Sequence, residues 1–319
     1  MTELIIDICY ECNSSCNYCQ WNKTNYGRSF KEIHLQDLLI PPESLRALNI
    51  DRIVLSGGEP TLSKYIQDVV KYYNQFELPI RIISNGILLN QNKIKSYSNL
   101  GIKEIVFSVN TFTIENNRKL SLNHYILFKK TLDNLKNASA IRRDNPSIVS
   151  FLGINVVLTS VNCNWYEIEK IISYSQINSL DQVKFQPVFD DGYLSQSAPT
   201  LNLNKKNLKD LDSIYLNFKN KKCSSNFTNN IEFWRDLKNL IEGRMLDPSK
   251  CALRNNTVLL HEGLLKFCFW CQHTIYEKSN TRFSHIQISN IREKFTKNLE
   301  SCEVKPYCFC LQPINQKWS

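Results

Sequence analysis

Short apolar runs alternate with longer amphipathic stretches along the first part of the chain. The runs are rich in isoleucine, valine and phenylalanine, which favour strands. They lie at Leu4–Ile8, Arg52–Ser56, Ile80–Ser84, Glu104–Val109, Phe151–Leu158 and Gln182–Pro187. Between them, apolar residues recur at helical spacing in Tyr65–Phe76, Gln91–Leu100, Leu122–Ser139 and Trp165–Ile177. This alternation predicts an α/β fold, a parallel sheet curved into a partial (β/α)6 TIM-like barrel with its site at the C-terminal ends of the strands.

The alternation stops after Pro187. Two further amphipathic stretches, Leu203–Phe218 and Ile231–Leu246, are expected to be helices, and a cysteine-rich region follows Asp247-Pro248. We therefore expect three parts. These are a barrel in residues 1–200, a helical bridge in residues 201–250 and a small C-terminal cysteine-rich domain in residues 251–319.

The composition of the chain indicates a cellular compartment and excludes some classes of binding partner. No apolar run approaches the ~20 residues of a membrane span, and Met1-Thr2-Glu3 does not begin a signal peptide. The protein is expected to be cytoplasmic, where 12 cysteines favour metal or redox chemistry over disulfides. The net charge of +9 is spread through lysine and arginine pairs without a basic tail, as on solvated helix faces. We expect neither a membrane nor a nucleic acid as partner.

Three cysteines directly follow the first predicted strand. Cys12, Cys16 and Cys19 have the spacing Cx3Cx2C, and thiolates are the usual ligands of iron–sulfur clusters. Three ligands leave one iron of a [4Fe-4S] cluster open to an added molecule. A zinc knuckle is the alternative, although zinc sites more often show two CxxC pairs or histidines. The spacing predicts a [4Fe-4S] cluster.

Polar residues and glycines follow the other predicted strands. About forty residues after the cysteines comes Gly57-Gly58-Glu59-Pro60, where glycines allow close backbone approach and a carboxylate can accept bonds from an ammonium group. The remaining candidates at strand ends are Ser84, Ser108, Asn110, Asn155 and Gln186.

The Cx3Cx2C loop, the tyrosine before its last cysteine and the GGEP turn together resemble the radical SAM superfamily. The resemblance implies that S-adenosyl-L-methionine binds the open iron, and that one electron splits its sulfonium bond to yield a 5′-deoxyadenosyl radical. It further implies that the turn with Gly57 and Gly58 binds the amino group of this cofactor, with Glu59 as its partner. Ser84, Ser108 and Asn110 are expected near the cofactor, and Asn155 and Gln186 are the further cofactor-binding candidates. A flavodoxin or ferredoxin type of protein would supply the electron.

The C-terminal cysteines resemble those of the SPASM and twitch extensions of this superfamily. Cys251 is followed by eleven residues, Gly263, four residues and Cys268. Thr257–His261 and Leu264–Phe267 are expected to pair as a hairpin through Glu262-Gly263. The later cysteines are Cys271, Cys302, Cys308 and Cys310. Six cysteines are too few for two cubane clusters, so we expect one auxiliary [4Fe-4S] cluster. Its expected ligands are Cys251, Cys268 and Cys310, with the fourth from Cys271, Cys302 or Cys308; a structural zinc is the alternative.

The chain as a whole resembles the epipeptide-type radical SAM peptide epimerases. This implies conversion of L- to D-residues in a ribosomally made precursor peptide, by removal of the α-hydrogen and its return to the opposite face. A thiol free of any cluster suits the return step, which leaves Cys9, Cys163 and Cys223. Cys163 fits a buried core position. Cys223 lies in a polar, lysine-flanked segment after the barrel and is the expected donor, as the resemblance also implies.

Other functions use the same scaffold. A maturase that forms thioethers or other cross-links in a peptide would lose both hydrogens, and a protein-oxidising maturase would need a general base in place of the thiol. A tRNA-modifying enzyme would fit the basic charge, but no additional nucleic-acid module is evident. A non-catalytic iron–sulfur protein would not explain why the Cx3Cx2C and GGEP motifs occur together.

Overall fold

A computed structural model describes residues 2–19, 32–121, 125–188, 199–221, 227–244, 257–266 and 277–278. Six strands pair side by side in chain order, all parallel. They are β1 (Thr2–Cys9), β2 (Ile50–Gly57), β3 (Ile80–Ser84), β4 (Ile102–Ser108), β5 (Phe151–Leu158) and β6 (Gln182–Pro187). The predicted α/β fold with a parallel sheet is confirmed.

Helices follow the strands. They are α1 (Pro42–Ala47), α2 (Ile66–Asn74), α3 (Gln91–Leu100), α4 (Ile114–Leu120), α5 (Tyr125–Asp144), α6 (Trp165–Ile177), α7 (Leu208–Lys221) and α8 (Ile231–Ile241). Capping residues determine where helix α3 begins and ends. The Asn90 side chain accepts from Lys93 N–H to begin α3, and Gly101, at φ 116°, ends it. Every helix in the described ranges is too short or too polar to cross a bilayer.

The bounds of several predicted helices differ from those in the structure, and two observed helices were not predicted. The predicted helix Leu122–Ser139 runs instead to Asp144, because Arg142 in the added turn bonds to Asp181 at 2.5 Å and to the Ser179 carbonyl at 2.6 Å. The predicted helix from Leu203 begins at Leu208, after a 3₁₀ turn capped by Asn204. Helices α1 and α4 were not predicted, since each is only about two turns long and carries little periodic signal.

Alternate residues of each strand face opposite sides of the sheet. Leu4, Ile6 and Ile8 belong to the main core that the helices cover. Ile5 packs with Val54 and Leu259 in a separate small cluster on the other face. That second face, which the helices do not cover, is the inside of the barrel.

A buried ion network lies at the start of the strands, on the inner face. Arg52 lies 3.0 Å from both Glu3 and Glu104, and Arg81 lies 2.8 Å from Glu104. Both arginine side chains are below a tenth exposed. The network fills the N-terminal end of the barrel, away from the strand ends where the candidate site residues lie.

The predicted C-terminal hairpin is present, and it extends the barrel sheet. Strands β7 (Thr257–His261) and β8 (Leu264–Lys266) are antiparallel, with Glu262 and Gly263 at φ 51° and 74° in the turn. β7 also pairs parallel with β1, and β9 (Glu277–Lys278) pairs with β8. Phe267 lies outside the described residues. The domain boundaries near residues 200 and 250 stay predictions.

At the opposite edge of the sheet, Asn229 bonds to the outer side of β6, next to a backbone bridge between Val183 and Thr228. Its side-chain oxygen accepts from Phe185 N–H at 2.7 Å, and its amide nitrogen donates to the Phe185 carbonyl at 3.0 Å. One side chain thereby replaces a neighbouring strand at this point.

Candidate cofactor and cluster site

The loop with Cys12, Cys16 and Cys19 is bonded directly to the glycine turn after β2. Gly58 N–H donates to the Cys9 carbonyl at 2.6 Å, and Glu59 N–H donates to the Glu11 carbonyl at 2.7 Å. A Cβ on Gly57 or Gly58 would lie 2.3 Å from one of these carbonyl oxygens. In the described structure, the close approach that the glycines permit is therefore to the cysteine loop itself. Their contact with a cofactor stays a prediction.

The three thiols share a short, hydrogen-bonded segment. Ser14 N–H points to Cys12 Sγ at 3.4 Å, and Ser14 Oγ lies 3.2 Å from Cys16 Sγ. All three cysteines are partly exposed. Burial raises the pKa of the Cys12 thiol to about 12, and Cys16 adds to the shift. A metal centre would supply the positive charge that a thiolate needs here, so the donor set fits an iron–sulfur cluster.

The far side of the loop is anchored on α4 and β4. Asn17 N–H donates to the Leu120 carbonyl at 2.9 Å, and its side chain donates to the Lys119 carbonyl at 3.1 Å. The Tyr18 hydroxyl accepts from the Asn110 amide, and burial raises the pKa of Tyr18 well above its ordinary value. The loop is fixed at both ends over the C-terminal side of the sheet.

Glu59 is completely buried, and its carboxylate is occupied by donors from its own chain. Oε1 accepts from Thr61 N–H at 3.1 Å, from the Thr61 hydroxyl at 2.7 Å and from the Ser84 hydroxyl at 2.8 Å. Oε2 accepts from Asn85 N–H at 2.8 Å. Desolvation raises the pKa of Glu59 despite these bonds. The carboxylate joins the β2 turn to the end of β3, and its predicted contact with an ammonium group stays a prediction.

Ser108 and Asn155, both predicted from their positions at strand ends, are neighbours in the sheet. Ser108 is in register with Asn155, and Asn155 is in register with Lys184. They alternate with Phe107, Ile154 and Phe185 of the helix-covered core, and so line the inner face. This row of polar side chains crosses three strands.

Gln186 and Asn110 lie beside this row. Gln186 is in register with Val157 and alternates with Phe185, which places it on the inner face. Asn110 follows β4, and its Oδ1 accepts from Val157 N–H at 2.7 Å. Asn110 thus braces the ends of β4 and β5 as well as Tyr18.

Sequence reasoning missed two residues here. The alternation of Gln182, Lys184 and Gln186 within one strand would have placed Lys184 on the inner face. Asn85 follows Ser84, and its side chain contacts Cys12 and Asn13 of the cysteine loop, which no local sequence pattern indicates.

Aspartate and histidine join the hairpin to β1. Asp7 is 5% exposed, and its carboxylate lies 2.8 Å from His261 Nδ1 on the neighbouring strand. The Tyr10 hydroxyl accepts from Glu262 N–H at 2.8 Å. Both contacts tie the hairpin to the strand that leads into the cysteine loop.

Two of the three cysteines that are predicted to bind no cluster are buried. Cys163 is completely buried in the main core, and burial raises the pKa of its thiol well above its ordinary value. Cys9 is 8% exposed, and its thiol points to the Glu11 carbonyl at 3.5 Å. The other predicted cysteines lie outside the described residues: Cys223, Cys251, Cys268, Cys271, Cys302, Cys308 and Cys310.

Within the described ranges, no three His, Cys, Asp or Glu side chains already surround a single metal ion. The thiolates of a cubane bind different irons, and therefore need not converge on one point.

Part of the chain matches the model of a known protein family. Residues 6–158 match the family model of the Radical SAM superfamily. This stretch contains the cysteine loop and the GGEP turn, and it extends to the end of β5. Together with the six parallel strands, the match defines an α/β fold with a parallel sheet of the radical SAM type.

Individual relatives have low sequence identity to this chain and match only part of it. The GTP 3′,8-cyclase of Aquifex aeolicus (strain VF5) is 27% identical over 125 residues, 37% of this chain and 38% of the relative. The chain thus matches well under two thirds of that protein's length.

Two solved structures share the fold over nearly the whole chain. The first is described as native anSMEcpe with bound AdoMet. It has a TM-score of 0.64 and 17% identity, and the likeness covers 100% of this chain and 92% of that one. The second is Streptococcus suis SuiB bound to precursor peptide SuiA. It has a TM-score of 0.64 and 14% identity, with 96% of this chain and 70% of that one covered.

Proposed function

We propose that this protein is a radical SAM enzyme that modifies a peptide. A [4Fe-4S] cluster would be held by Cys12, Cys16 and Cys19, with S-adenosyl-L-methionine beside it. The observation that carries the proposal is the direct bonding of the cysteine loop to the GGEP turn, over the strand ends of a radical SAM barrel. A shared site explains why two motifs forty residues apart meet.

When bound, the cluster and S-adenosyl-L-methionine supply a radical able to remove a hydrogen atom from an unactivated carbon. The residues of this chain would bind and orient the cofactor and the substrate. Gly57 and Gly58 allow the cysteine loop to pack against the turn after β2, and the Glu59 carboxylate stabilises that turn. Ser108, Asn155 and Gln186 offer polar groups on the inner face, where the cofactor and the substrate would lie.

A peptide is the proposed substrate. The structure of SuiB with its precursor peptide resembles this chain over 96% of its length, while the match to the GTP cyclase covers 37%. A match over 37% of the chain gives little guidance on the substrate. The longer likeness includes the region beyond the barrel core.

Within this class, we propose an L-to-D epimerase with Cys223 as the hydrogen donor. After loss of the α-hydrogen, the S–H of Cys223 would return a hydrogen atom to the opposite face of the α-carbon. The sulfur radical then needs one electron and one proton, the electron coming from a flavodoxin or ferredoxin type of donor. The burial of Cys163 and Cys9 supports this choice, because a core thiol cannot reach a peptide.

The auxiliary [4Fe-4S] cluster is also a proposal. Its proposed ligands are Cys251, Cys268, Cys310 and one of Cys271, Cys302 and Cys308. The observed hairpin supports this arrangement only in part, since it brings together the two segments that precede Cys268.

The test is mass spectrometry of a candidate precursor peptide, incubated anaerobically in D2O with enzyme, reductant and S-adenosyl-L-methionine. Epimerisation predicts a gain of about one mass unit per event, with D-residues after hydrolysis, because an exchangeable thiol returns the hydrogen. A loss of about two mass units would instead indicate a thioether, cross-link or oxidation.

Cys223→Ala should abolish D-residue formation and leave cleavage of S-adenosyl-L-methionine intact. Cys163→Ala is the matched control, since its thiol is completely buried in the core. Normal epimerisation by the Cys223 variant would refute the donor assignment. Absence of S-adenosyl-L-methionine cleavage by the unmodified, cluster-loaded enzyme would refute the radical SAM proposal.

A further inference from the structure

Asn85, directly after β3, contacts both halves of the candidate site. Its side-chain amide nitrogen donates to Asn13 Oδ1 at 2.7 Å and lies 3.8 Å from Cys12 Sγ. Its backbone N–H donates to Glu59 Oε2 at 2.8 Å. One residue therefore connects the cysteine loop to the buried carboxylate of the GGEP turn.

The remaining polar groups of Asn85 fix its orientation. Its side-chain oxygen accepts from Ile87 N–H at 2.9 Å, and its carbonyl accepts from the Thr131 hydroxyl at 2.9 Å. A flipped amide would place NH2 against the Ile87 N–H and lose both side-chain bonds. The donor side of the amide must face the loop.

We infer that Asn85 is a positioning residue for the Cys12 thiolate, and that its amide raises the reduction potential of the cluster bound there. Hydrogen bonds to ligating sulfurs are among the determinants of cluster potential. A donor stabilises the extra negative charge of the reduced state, so its removal lowers the potential. The inference rests on the proposed cluster at Cys12, Cys16 and Cys19.

The test is a redox titration of the full-length protein, reconstituted with iron and sulfide and followed by electron paramagnetic resonance. Asn85→Ala removes the donor. Asn13→Ala removes the acceptor that aims it and leaves β3 untouched. Thr131→Val is the matched control, because it removes a bond to the Asn85 backbone without touching the loop.

At the midpoint potential of the unmodified protein, Asn85→Ala should lower the ratio of reduced to oxidised cluster by about threefold or more. Asn13→Ala should shift the ratio in the same direction by less, and Thr131→Val should leave it unchanged. An Asn85→Ala cluster with unchanged midpoint and g-values would overturn the inference.

Two further outcomes are decisive. If circular dichroism shows that Asn85→Ala does not fold, Asn13→Ala decides, and an unchanged ratio in that variant overturns the inference. If the unmodified protein takes up no cluster, the proposed function fails and this inference fails with it. A loaded unmodified protein with insensitive variants refutes the role of Asn85 alone.

Discussion

The buried carboxylate of Glu59 allows two roles for the GGEP turn to be separated. If its four hydrogen bonds hold the turn together, Glu59→Gln should destabilise the fold in the absence of any cofactor. If instead the carboxylate serves only as a cofactor ligand, the same change should weaken S-adenosyl-L-methionine binding and leave stability unchanged. The described contacts favour the first outcome.

The magnitude follows from the donors around the carboxylate. A glutamine oxygen can still accept from Thr61 and Ser84, but the NH2 group then faces Asn85 N–H, and two donors oppose each other. A buried donor without a partner costs about 1–3 kcal/mol. The substitution leaves Asn85 N–H without an acceptor, and it replaces the charged acceptor of the bonds from Thr61 and Ser84 by a neutral one. We expect a loss of about 3 kcal/mol, a large part of the ~5–15 kcal/mol that holds a typical domain.

The assay is urea unfolding of the cluster-free full chain, followed by tryptophan fluorescence. Glu167→Gln is the matched control, since Glu167 is 1% exposed but accepts one described bond, from the Thr111 hydroxyl at 2.6 Å. A glutamine oxygen can keep that bond, so the control should lose less than about 1 kcal/mol. Equal stability of the Glu59 variant and the unmodified protein would refute the reasoning.

Three further predictions concern backbone contacts and buried charges. Gly57→Ala should reduce bound iron and lower stability more than Gly243→Ala. Both glycines have positive φ, at 114° and 84°, but of the two only Gly57 would bring a Cβ against a backbone oxygen, that of Cys9 at 2.3 Å. Equal losses of bound iron and of stability in the two variants, measured by iron analysis and urea unfolding, would contradict this prediction. Glu104→Gln should lower the free energy of unfolding by about 3 kcal/mol, because it leaves the buried guanidinium groups of Arg52 and Arg81 with too little negative charge beside them. An unchanged midpoint of urea unfolding would contradict this prediction. Asn229→Ala should lower the free energy of unfolding by about 2 kcal/mol and speed amide exchange in β6, because the Asn229 side chain bonds to the backbone of Phe185 in that strand. Unaltered amide exchange in the variant would contradict this prediction.

The strands of the barrel could be predicted because each one is a short apolar run with polar residues or glycines after it. Predicted and observed bounds are identical for β3, β5 and β6. The hairpin at residues 257–266 was also predicted, through its turn at Glu262-Gly263. Its place in the sheet was not, because local periodicity carries no information about which strand edge a distant segment will join.

For the candidate site, motif spacing identified the residue types but not their partners. The sequence shows that Glu59 follows two glycines, but it does not show that Ser84 and Asn85 will donate to that carboxylate. Asn110 likewise has the position expected for a cofactor contact, while its described bonds run to Val157 and Tyr18. These contacts join residues on different strands and loops, so only the folded structure reveals them.

The parallel pairing of β7 with β1 has a consequence for how the protein is made. Residues Glu3–Ile6 find their partners at residues 257–260, so one edge of the first strand stays open until most of the chain has left the ribosome. Contacts so distant in sequence slow folding, and an open apolar edge can pair with other chains. The cysteine loop follows this strand directly. The order of synthesis therefore leaves the strand beside the loop incomplete until late in translation.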